Sequence, residues 1–230
     1  MKWLKKYELA SLNSLAMGSH FDLQALYKTY LAEKKVDYQS FLNLYNRFKN
    51  EKKMQGFLKY FDLPCHLARA FYYSKELNLY NNKCLSILDL GSGAGYFPYA
   101  VKFLGHECLA LDKNDNVLYN SMRSILNVDT TYQTIKPLSS IKLKEKKFDL
   151  ITSFQILFDT HKKKMWNEEY WKYFIYMLMK KFLKPGGRIF LQMNTIKAND
   201  LIQYKKNITS FKFIGGKRYK RDGEFLFINQ

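Results

Sequence analysis

The chain has 230 residues, a hydrophobic fraction of 47% and a formal net charge of +18. This length and apolar content predict one or two folded domains with a sizeable core, and they exclude a wholly disordered chain. Three cysteines are too few for a disulfide scaffold and lack metal-binding spacing, so we expect a reduced, cytoplasmic protein without a metal site. No apolar run reaches the roughly 18 residues of a membrane span. Glu8 and Ser11 interrupt the N-terminal stretch that would otherwise imitate an export signal.

The positive charge comes almost entirely from lysine, because only six of the 38 basic residues are arginines. A positive field attracts anionic partners, but nucleic-acid-binding proteins usually concentrate arginine at phosphate and base contacts. The chain is also rich in Asn, Ile, Phe and Tyr, a bias typical of an AT-rich genome. Part of the charge can therefore be mutational in origin, and nucleic acid is the less favoured partner.

Residues 1–83 carry the periodicity of helices. Apolar positions recur at helical spacing in 21–35 and 36–53; Asp22 is suited to cap the first helix, and the second pattern follows Asp37. A third helix is predicted over 57–77, with a break or kink at Pro64. We expect these helices to form an N-terminal region that acts as a lid or recognises the substrate. Their tyrosines could line a pocket, although packing in a core is the commoner role of such residues: Tyr27, Tyr30, Tyr38, Tyr45, Tyr72 and Tyr73.

From Cys84 onward, short apolar runs typical of buried strands alternate with helical patterns. The predicted strands are 84–90, 107–112, 131–135, 148–154, 187–194, 211–214 and 224–227. The predicted helices are 96–104, 114–126 and 168–183. This alternation predicts a doubly wound α/β sheet with right-handed crossovers, and hence a domain over 84–230.

The strongest local signal is the segment 88–96, LDLGSGAGY, which lies where a buried strand ends and a helix begins. Glycines there allow the backbone to approach a ligand closely, and the helix N-terminus offers N–H groups to an anion. Asp112, about 20 residues beyond the loop, ends the next strand and can accept hydrogen bonds from ribose hydroxyls. Tyr96 takes the place of the third small residue of a dinucleotide fingerprint, which favours a smaller carboxylate over a pyrophosphate beside the loop.

Four segments in order, ILDLGSGAGYF, ALDKN, KFDLITSFQ and FLKPGGRIFL, resemble the motifs of the class I S-adenosylmethionine-dependent methyltransferases. The resemblance covers about 84 to 194. It implies a mostly parallel sheet of seven strands, with the sixth parallel and the seventh antiparallel to the others, and S-adenosylmethionine as the cofactor. The residues expected to bind that cofactor are Asp89, Gly91, Ser92, Gly93, Gly95, Tyr96, Asp112, Lys113, Thr134, Ile135, Ser153, Phe154 and Gln155. No acid follows the third strand, so we expect backbone around Thr134 and Ile135 to contact the adenine.

Methyl transfer from a sulfonium chiefly requires that the acceptor be placed next to the methyl group, because the leaving group departs neutral. Where a general base is needed, His161 is the first candidate and Asp159 the second, since both follow the fourth strand. Basic residues in the turn 215–223 of the C-terminal hairpin could bind an anionic acceptor, although an exposed basic turn without that role is equally compatible with the sequence. They are Lys217, Arg218, Lys220 and Arg221.

The sequence thus predicts a cytoplasmic S-adenosylmethionine-dependent methyltransferase that methylates oxygen or nitrogen of a small-molecule or glycan acceptor. The fourth strand is not followed by the Asn/Asp-Pro-Pro-Tyr-like motif of enzymes that methylate amino groups of nucleic acids, nor by the Pro-Cys of cytosine-C5 enzymes. Three alternatives stay open: an RNA methyltransferase that uses the hairpin 215–223, a nicotinamide-dependent oxidoreductase, and a nucleoside-binding module without catalysis. Neither the acceptor nor the oligomeric state is indicated.

Overall fold

The computed structural model describes residues 22–81, 83–144, 146–155, 166–192, 216–218 and 224–228. The chain divides into two compact units. The first comprises Met1–Cys84, Gly93–Cys108 and Asn114–Thr130, and the second comprises Leu85–Ser92, Leu109–Lys113 and Thr131–Gln230. The first unit thus takes residues from both sides of position 84, and the division into 1–83 and 84–230 stays a prediction.

The first unit begins with helices. They are α1 (Leu23–Glu33), α2 (Tyr38–Phe48), a stretch of 3-10 turns (Lys52–Phe61) and α3 (Leu63–Glu76). The cap predicted at Asp22 is confirmed, because its carboxylate accepts a 2.8 Å hydrogen bond from the Ala25 N–H in the first turn of α1. The Asp37 carboxylate caps α2 in the same way, with a 3.0 Å bond from the Ser40 N–H. The break before α3 falls at Asp62 and not at Pro64, since Asp62 caps α3 and proline is tolerated in a first helical turn.

Two further helices, α4 (Tyr96–Phe103) and α5 (Val117–Ile125), belong to the same unit. The Phe103 ring of α4 packs edge-on against Phe71 of α3 at 5.6 Å, and Tyr99 of α4 donates a 2.8 Å hydrogen bond to the carbonyl of Ala32. Helix α4 is therefore held by both α1 and α3.

The sheet has seven strands. They are β1 (Ser86–Leu90), β2 (Glu107–Asp112), β3 (Thr130–Tyr132), β4 (Phe148–Phe154), β5 (Leu183–Gln192), β6 (Lys217–Arg218) and β7 (Glu224–Ile228), in the spatial order β3-β2-β1-β4-β5-β7-β6. Strand β4 pairs in parallel with β1 and with β5, whereas β7 is antiparallel to both β5 and β6. The predicted α/β sheet is confirmed, and β6 runs in the direction of β5.

Helix α6 (Glu168–Met177) precedes β5 and packs Trp171 and Phe174 into the core of the second unit. It ends in a π turn, Leu178–Phe182, and β5 begins at Leu183, four residues before the predicted start. The difference arises from a bulge: Leu183 and Arg188 pair with Phe148 and Leu150, and Gly186, at φ +70°, lies in the extra length.

The C-terminal hairpin differs from its predicted form. Lys217 and Arg218 form strand β6, where the sequence predicted a turn, because they pair with Leu226 and Phe225 of β7. The predicted strand 211–214 lies outside the described residues. Within the described ranges, no helix combines the length and the apolar character that crossing a membrane requires.

Candidate functional site

The glycine-rich loop connects β1 to α4. Its first glycine, Gly91, donates a 2.7 Å hydrogen bond to the carbonyl of Leu111 in β2. Gly93 and Gly95 have φ angles of +54° and +87°, in the left-handed region that L residues enter at a cost of about 1–2 kcal/mol. Gly95 directly precedes α4 and has no side chain with which to cap the first turn of that helix. The first-turn N–H groups of α4 are thus suited to an anionic group of a ligand.

The two later glycines face different surroundings. A Cβ on Gly95 would lie 2.8 Å from Cγ of Arg123 and 3.3 Å from Cγ2 of Val128, whereas a Cβ on Gly93 would meet no atom of the described residues within 4 Å. The Arg123 guanidinium also donates to the Gly93 carbonyl and to the side chain of Asn120. Helix α5 therefore supports the loop from one side, and open space adjoins the Cα of Gly93.

Tyr96 is buried, and its side chain lies in an aromatic stack. Its ring stacks on His66 with centroids 5.0 Å apart, and His66 stacks in turn on Tyr60 at 5.0 Å. The Tyr96 hydroxyl donates to the Tyr60 carbonyl, and the His66 Nε2–H donates to the Lys59 carbonyl at 3.1 Å. The ring and the hydroxyl of Tyr96 are thus engaged within the protein, and the group that Tyr96 can offer a ligand is its backbone N–H at the start of α4.

The imidazole of His66 is neutral at physiological pH. Burial lowers the pKa of His66 to about 4, although its hydrogen bond to Lys59 acts in the opposite direction. Neither His66 nor Arg123 was identified from the sequence as part of the site. The one signal was that Arg123 falls on the apolar stripe of α5 beside Leu118 and Met122, where arginine is rarely buried.

Asp112 ends β2, the strand next to β1 in the sheet. One carboxylate oxygen accepts a 2.8 Å hydrogen bond from the Lys113 N–H, and the Asp112 carbonyl accepts another, also 2.8 Å, from Gln133. The residue is half-buried, whereas Lys113 is exposed. A carboxylate has two oxygens and so is a group that can accept hydrogen bonds from two neighbouring hydroxyl groups.

Asp89 lies inside β1, two residues before the loop, and is 2% exposed. Burial raises the pKa of this carboxyl to about 8, the Thr152 hydroxyl opposes the shift through a 2.7 Å hydrogen bond, and the charge of Asp112 adds to it. The group is consequently mostly protonated near neutral pH. A cationic ligand group placed beside it would favour the charged carboxylate.

The other predicted cofactor residues lie at the ends of β1, β3 and β4. The hydroxyl groups of Ser92 and Ser153 are buried without a hydrogen-bond partner among the described residues. Such groups cost about 1–3 kcal/mol each unless a ligand or water satisfies them. After β4, the Phe154 ring packs on Phe190 at 5.5 Å, and Gln155 turns the chain at φ +53°.

Thr134 and Ile135 follow β3. Thr134 is exposed, and Ile135 packs against the apolar core of the second unit. The Gln133 N–H donates to the Asp112 carbonyl, so the backbone that leads into Thr134 and Ile135 lies next to the end of β2. Among the described residues, no side-chain contact indicates that Thr134 or Ile135 binds adenine.

The predicted catalytic and substrate residues are only in part described. His161, Asp159, Lys220 and Arg221 lie outside the described residues. Lys217 is exposed on β6, beside Arg218. No group of His, Cys, Asp or Glu side chains in the described part of the chain is arranged to hold a metal ion.

The sheet topology decides the fold. The resemblance implied a sheet of seven strands, and the structure has one in which the sixth strand is parallel to β5 and the seventh is antiparallel to it. The glycine loop follows β1, and the acid follows at the end of β2. The chain has the fold of the class I S-adenosylmethionine-dependent methyltransferases.

Neither a family model nor a curated protein matches the chain. Among solved structures, it is similar to a ribosomal protein methylase of Lactobacillus delbrueckii subsp. bulgaricus, at 16% identity and a TM-score of 0.43, over 70% of this chain and 77% of that one. It is similar to a 16S rRNA methyltransferase of T. thermophilus, in complex with AdoMet and guanosine, at 18% identity and a TM-score of 0.44, over 73% and 43%. It is also similar to the methyltransferase SibL in its apo form, at 12% identity and a TM-score of 0.43, over 89% and 73%.

Proposed function

We propose that this protein is a cytoplasmic methyltransferase that uses S-adenosylmethionine to methylate an oxygen or nitrogen atom. The observation that supports it best is the loop itself: α5 fills the side next to Gly95, the Tyr96 side chain lies in the aromatic stack, and open space adjoins Gly93. That space is what the close approach of a ligand to a glycine backbone requires.

The chemistry of the surrounding groups fits S-adenosylmethionine. Asp112 would accept hydrogen bonds from the ribose hydroxyls, and the N–H groups at the start of α4 would bind the carboxylate of the methionine moiety. The ammonium group of that moiety would favour ionisation of Asp89, and the unsatisfied hydroxyls of Ser92 and Ser153 supply further polar partners. When bound, the cofactor supplies a methyl group on a sulfonium.

The remaining task of the chain is to place the acceptor next to that methyl group. We propose His161, or Asp159, as the base that takes a proton from an oxygen or nitrogen nucleophile, and the basic residues Lys217, Arg218, Lys220 and Arg221 as contacts for an anionic acceptor. Residues 1–83 would contribute to substrate recognition, and 84–230 would form the methyltransferase domain. A small molecule or a glycan is the acceptor that the sequence favours.

Calorimetry with S-adenosylhomocysteine, the demethylated product, tests the proposal. We expect the wild type to bind this compound and Asp112→Asn to bind it about 10- to 100-fold more weakly, the usual cost of losing hydrogen bonds to a charged group. Asp115→Asn, which removes one carboxylate three residues further on, is the matched control and should keep the wild-type affinity. Binding of NAD without binding of S-adenosylhomocysteine would instead identify an oxidoreductase.

Catalysis is tested separately with methyl-labelled S-adenosylmethionine and fractionated cell extract as the source of acceptors. Label that appears in an acceptor fraction with the wild type, and not with Asp112→Asn, is the expected result. Binding of the product without transfer of label to any fraction would leave a nucleoside-binding module and contradict the enzymatic proposal.

A further inference from the structure

Five exposed basic residues lie within the 13 residues that cover the end of α2 and most of the 3-10 stretch. We call them the basic strip: Arg47, Lys49, Lys52, Lys53 and Lys59. Between Arg47 and Lys59 there is one acidic residue, Glu51. None of the five forms an ion pair in the part of the chain that the structure describes. The strip therefore presents an excess of positive charge to solvent, five basic residues against one acid, which favours a polyanionic partner.

Three exposed side chains of α2 precede the basic strip in the sequence, and we call them the aromatic stripe: Tyr38, Leu42 and Tyr45. Tyr38, Leu42 and Tyr45 are 65%, 40% and 37% exposed, and with Lys49 they recur at the spacing that places residues on one helix face. The opposite, apolar face of α2 is already buried in the first unit. The outward face thus combines two accessible tyrosine rings with a cation at its end.

The segment that carries the strip is held in place from its inner side. The rings of Phe57 and Tyr60 pack edge-on against Tyr119 of α5 at 5.5 and 5.1 Å. Phe61 packs in the same way against Phe41, on the buried face of α2, at 6.0 Å. Because these contacts fix the backbone in advance, a ligand would not have to order it, which lowers the cost of binding. Tyr60 also belongs to the stack with Tyr96, so the inner side of this segment contacts the residue that follows the glycine loop.

We propose that the basic strip and the aromatic stripe form a binding surface for single-stranded RNA. Lysines bind backbone phosphates as point charges, and exposed tyrosines provide faces on which bases stack, the combination found in proteins that bind single strands without sequence preference. The scarcity of arginine argues against base-specific contacts and not against such backbone binding. This inference goes beyond the proposed function: it names RNA as a binding partner of this surface and leaves a small molecule or a glycan as the proposed methyl acceptor.

An anionic membrane is the other polyanion to consider, and the structure disfavours it. A helix that lies in a membrane surface buries its apolar face in lipid, whereas the apolar residues of α2, Phe41, Leu44 and Phe48, are buried within the protein. Its outward face also carries Gln39 and Asn43, joined by a 3.0 Å hydrogen bond, and such amide groups suit an aqueous interface with RNA.

The test measures binding of a fluorescein-labelled 20-nucleotide oligouridylate by anisotropy between 50 and 300 mM KCl. The strip variant carries Lys49→Gln, Lys52→Gln and Lys53→Gln. Each phosphate that the protein no longer binds should reduce the slope of log K, the association constant, against log KCl concentration by about 0.7. Loss of three such contacts in the strip variant therefore weakens binding about 100-fold at 0.1 M KCl. The matched control carries Lys142→Gln, Lys144→Gln and Lys181→Gln, which remove the same charge from three other exposed lysines, and it should bind within about threefold of the wild type.

The aromatic stripe is tested with Tyr38→Ala against Tyr176→Ala, a tyrosine on α6 that is 56% exposed. Removing the ring on which a base stacks should weaken RNA binding about fivefold or more for Tyr38→Ala, with the salt dependence unchanged, and Tyr176→Ala should have no effect. Equal effects of the two tyrosine variants would overturn the stacking role.

Three results would overturn the proposal: no binding of the oligonucleotide by the wild type at 50 mM KCl, equal weakening by both lysine variants, or loss of binding to phosphatidylserine vesicles by the strip variant while RNA binding is kept. Calorimetry with S-adenosylhomocysteine on the same variants separates this inference from the proposed function. The strip variant should keep the affinity for that compound. A protein that binds RNA through the strip but does not bind S-adenosylhomocysteine would contradict the proposed function alone.

Discussion

Replacing each of two neighbouring glycines by alanine should separate folding from cofactor binding. In Gly95→Ala, the new methyl group would lie 2.8 Å from Cγ of Arg123 at a φ of +87°. Arg123 cannot move away without losing its hydrogen bond to the Gly93 carbonyl. Backbone strain of about 1–2 kcal/mol and overpacking of about 1–3 kcal/mol together predict a loss of roughly 2–5 kcal/mol in the free energy of unfolding.

Gly93→Ala should behave in the opposite way. At a φ of +54° with no atom within 4 Å of the new Cβ, the structure predicts a loss of only about 1 kcal/mol. The methyl group would, however, enter the space that we assign to the cofactor, and the affinity for S-adenosylhomocysteine should fall by at least about tenfold, as expected when a buried group no longer fits.

The assays are urea and thermal unfolding, together with calorimetry with S-adenosylhomocysteine, on both variants and the wild type. We expect the melting temperature of Gly95→Ala to fall by about 5–15 °C, and that of Gly93→Ala by less than about 5 °C. Equal destabilisation by the two substitutions would refute the description of the loop. Wild-type affinity in Gly93→Ala would refute the placement of the cofactor next to it.

Two further predictions concern pH. The pKa of His66 is about 4 in the folded protein and 6.5 in the unfolded chain, so the unfolded chain binds the proton first as the pH falls. The free energy of unfolding should therefore fall by about 2 kcal/mol from pH 7.5 to pH 5. In urea unfolding His66→Phe should lack this fall, and an unaltered pH dependence in that variant would contradict the lowered pKa. The pKa of Asp89 is raised from 3.8 to about 8, so its contribution is present below pH 3.8 and is lost as the pH rises through 8. Between pH 5 and pH 8, the free energy of unfolding of Asp89→Asn should rise relative to that of the wild type by about 1 kcal/mol per pH unit. A difference between the two proteins that stays constant with pH would show that the pKa of Asp89 is not raised.

Features that depend on local sequence were predicted correctly. Asp22 caps α1 because an aspartate before an amphipathic run satisfies first-turn N–H groups wherever the helix packs. Strands β2 and β4 have the predicted bounds, 107–112 and 148–154, since each is a short apolar run bordered by polar or glycine residues. The fold class followed from the order of such runs.

Features that depend on contacts between distant residues were not predicted. The sequence predicts Tyr96 as a bulky loop residue that binds the cofactor, and nothing local indicates that His66, 30 residues earlier, stacks on its ring. The support that Arg123 gives to Gly95 and the early start of β5 also depend on packing and register that local periodicity does not encode. The raised pKa of Asp89 follows from its burial in the sheet, which a motif does not report.

Hydrogen exchange measured by mass spectrometry, with and without saturating S-adenosylhomocysteine, tests the position of the cofactor most directly. We predict slower exchange in peptides that cover 88–97 and 109–116, because the loop N–H groups and the end of β2 would be bound by the ligand. Protection confined to other segments, or no protection in these two peptides at saturation, would contradict the assignment of this loop and of Asp112 to a nucleoside cofactor.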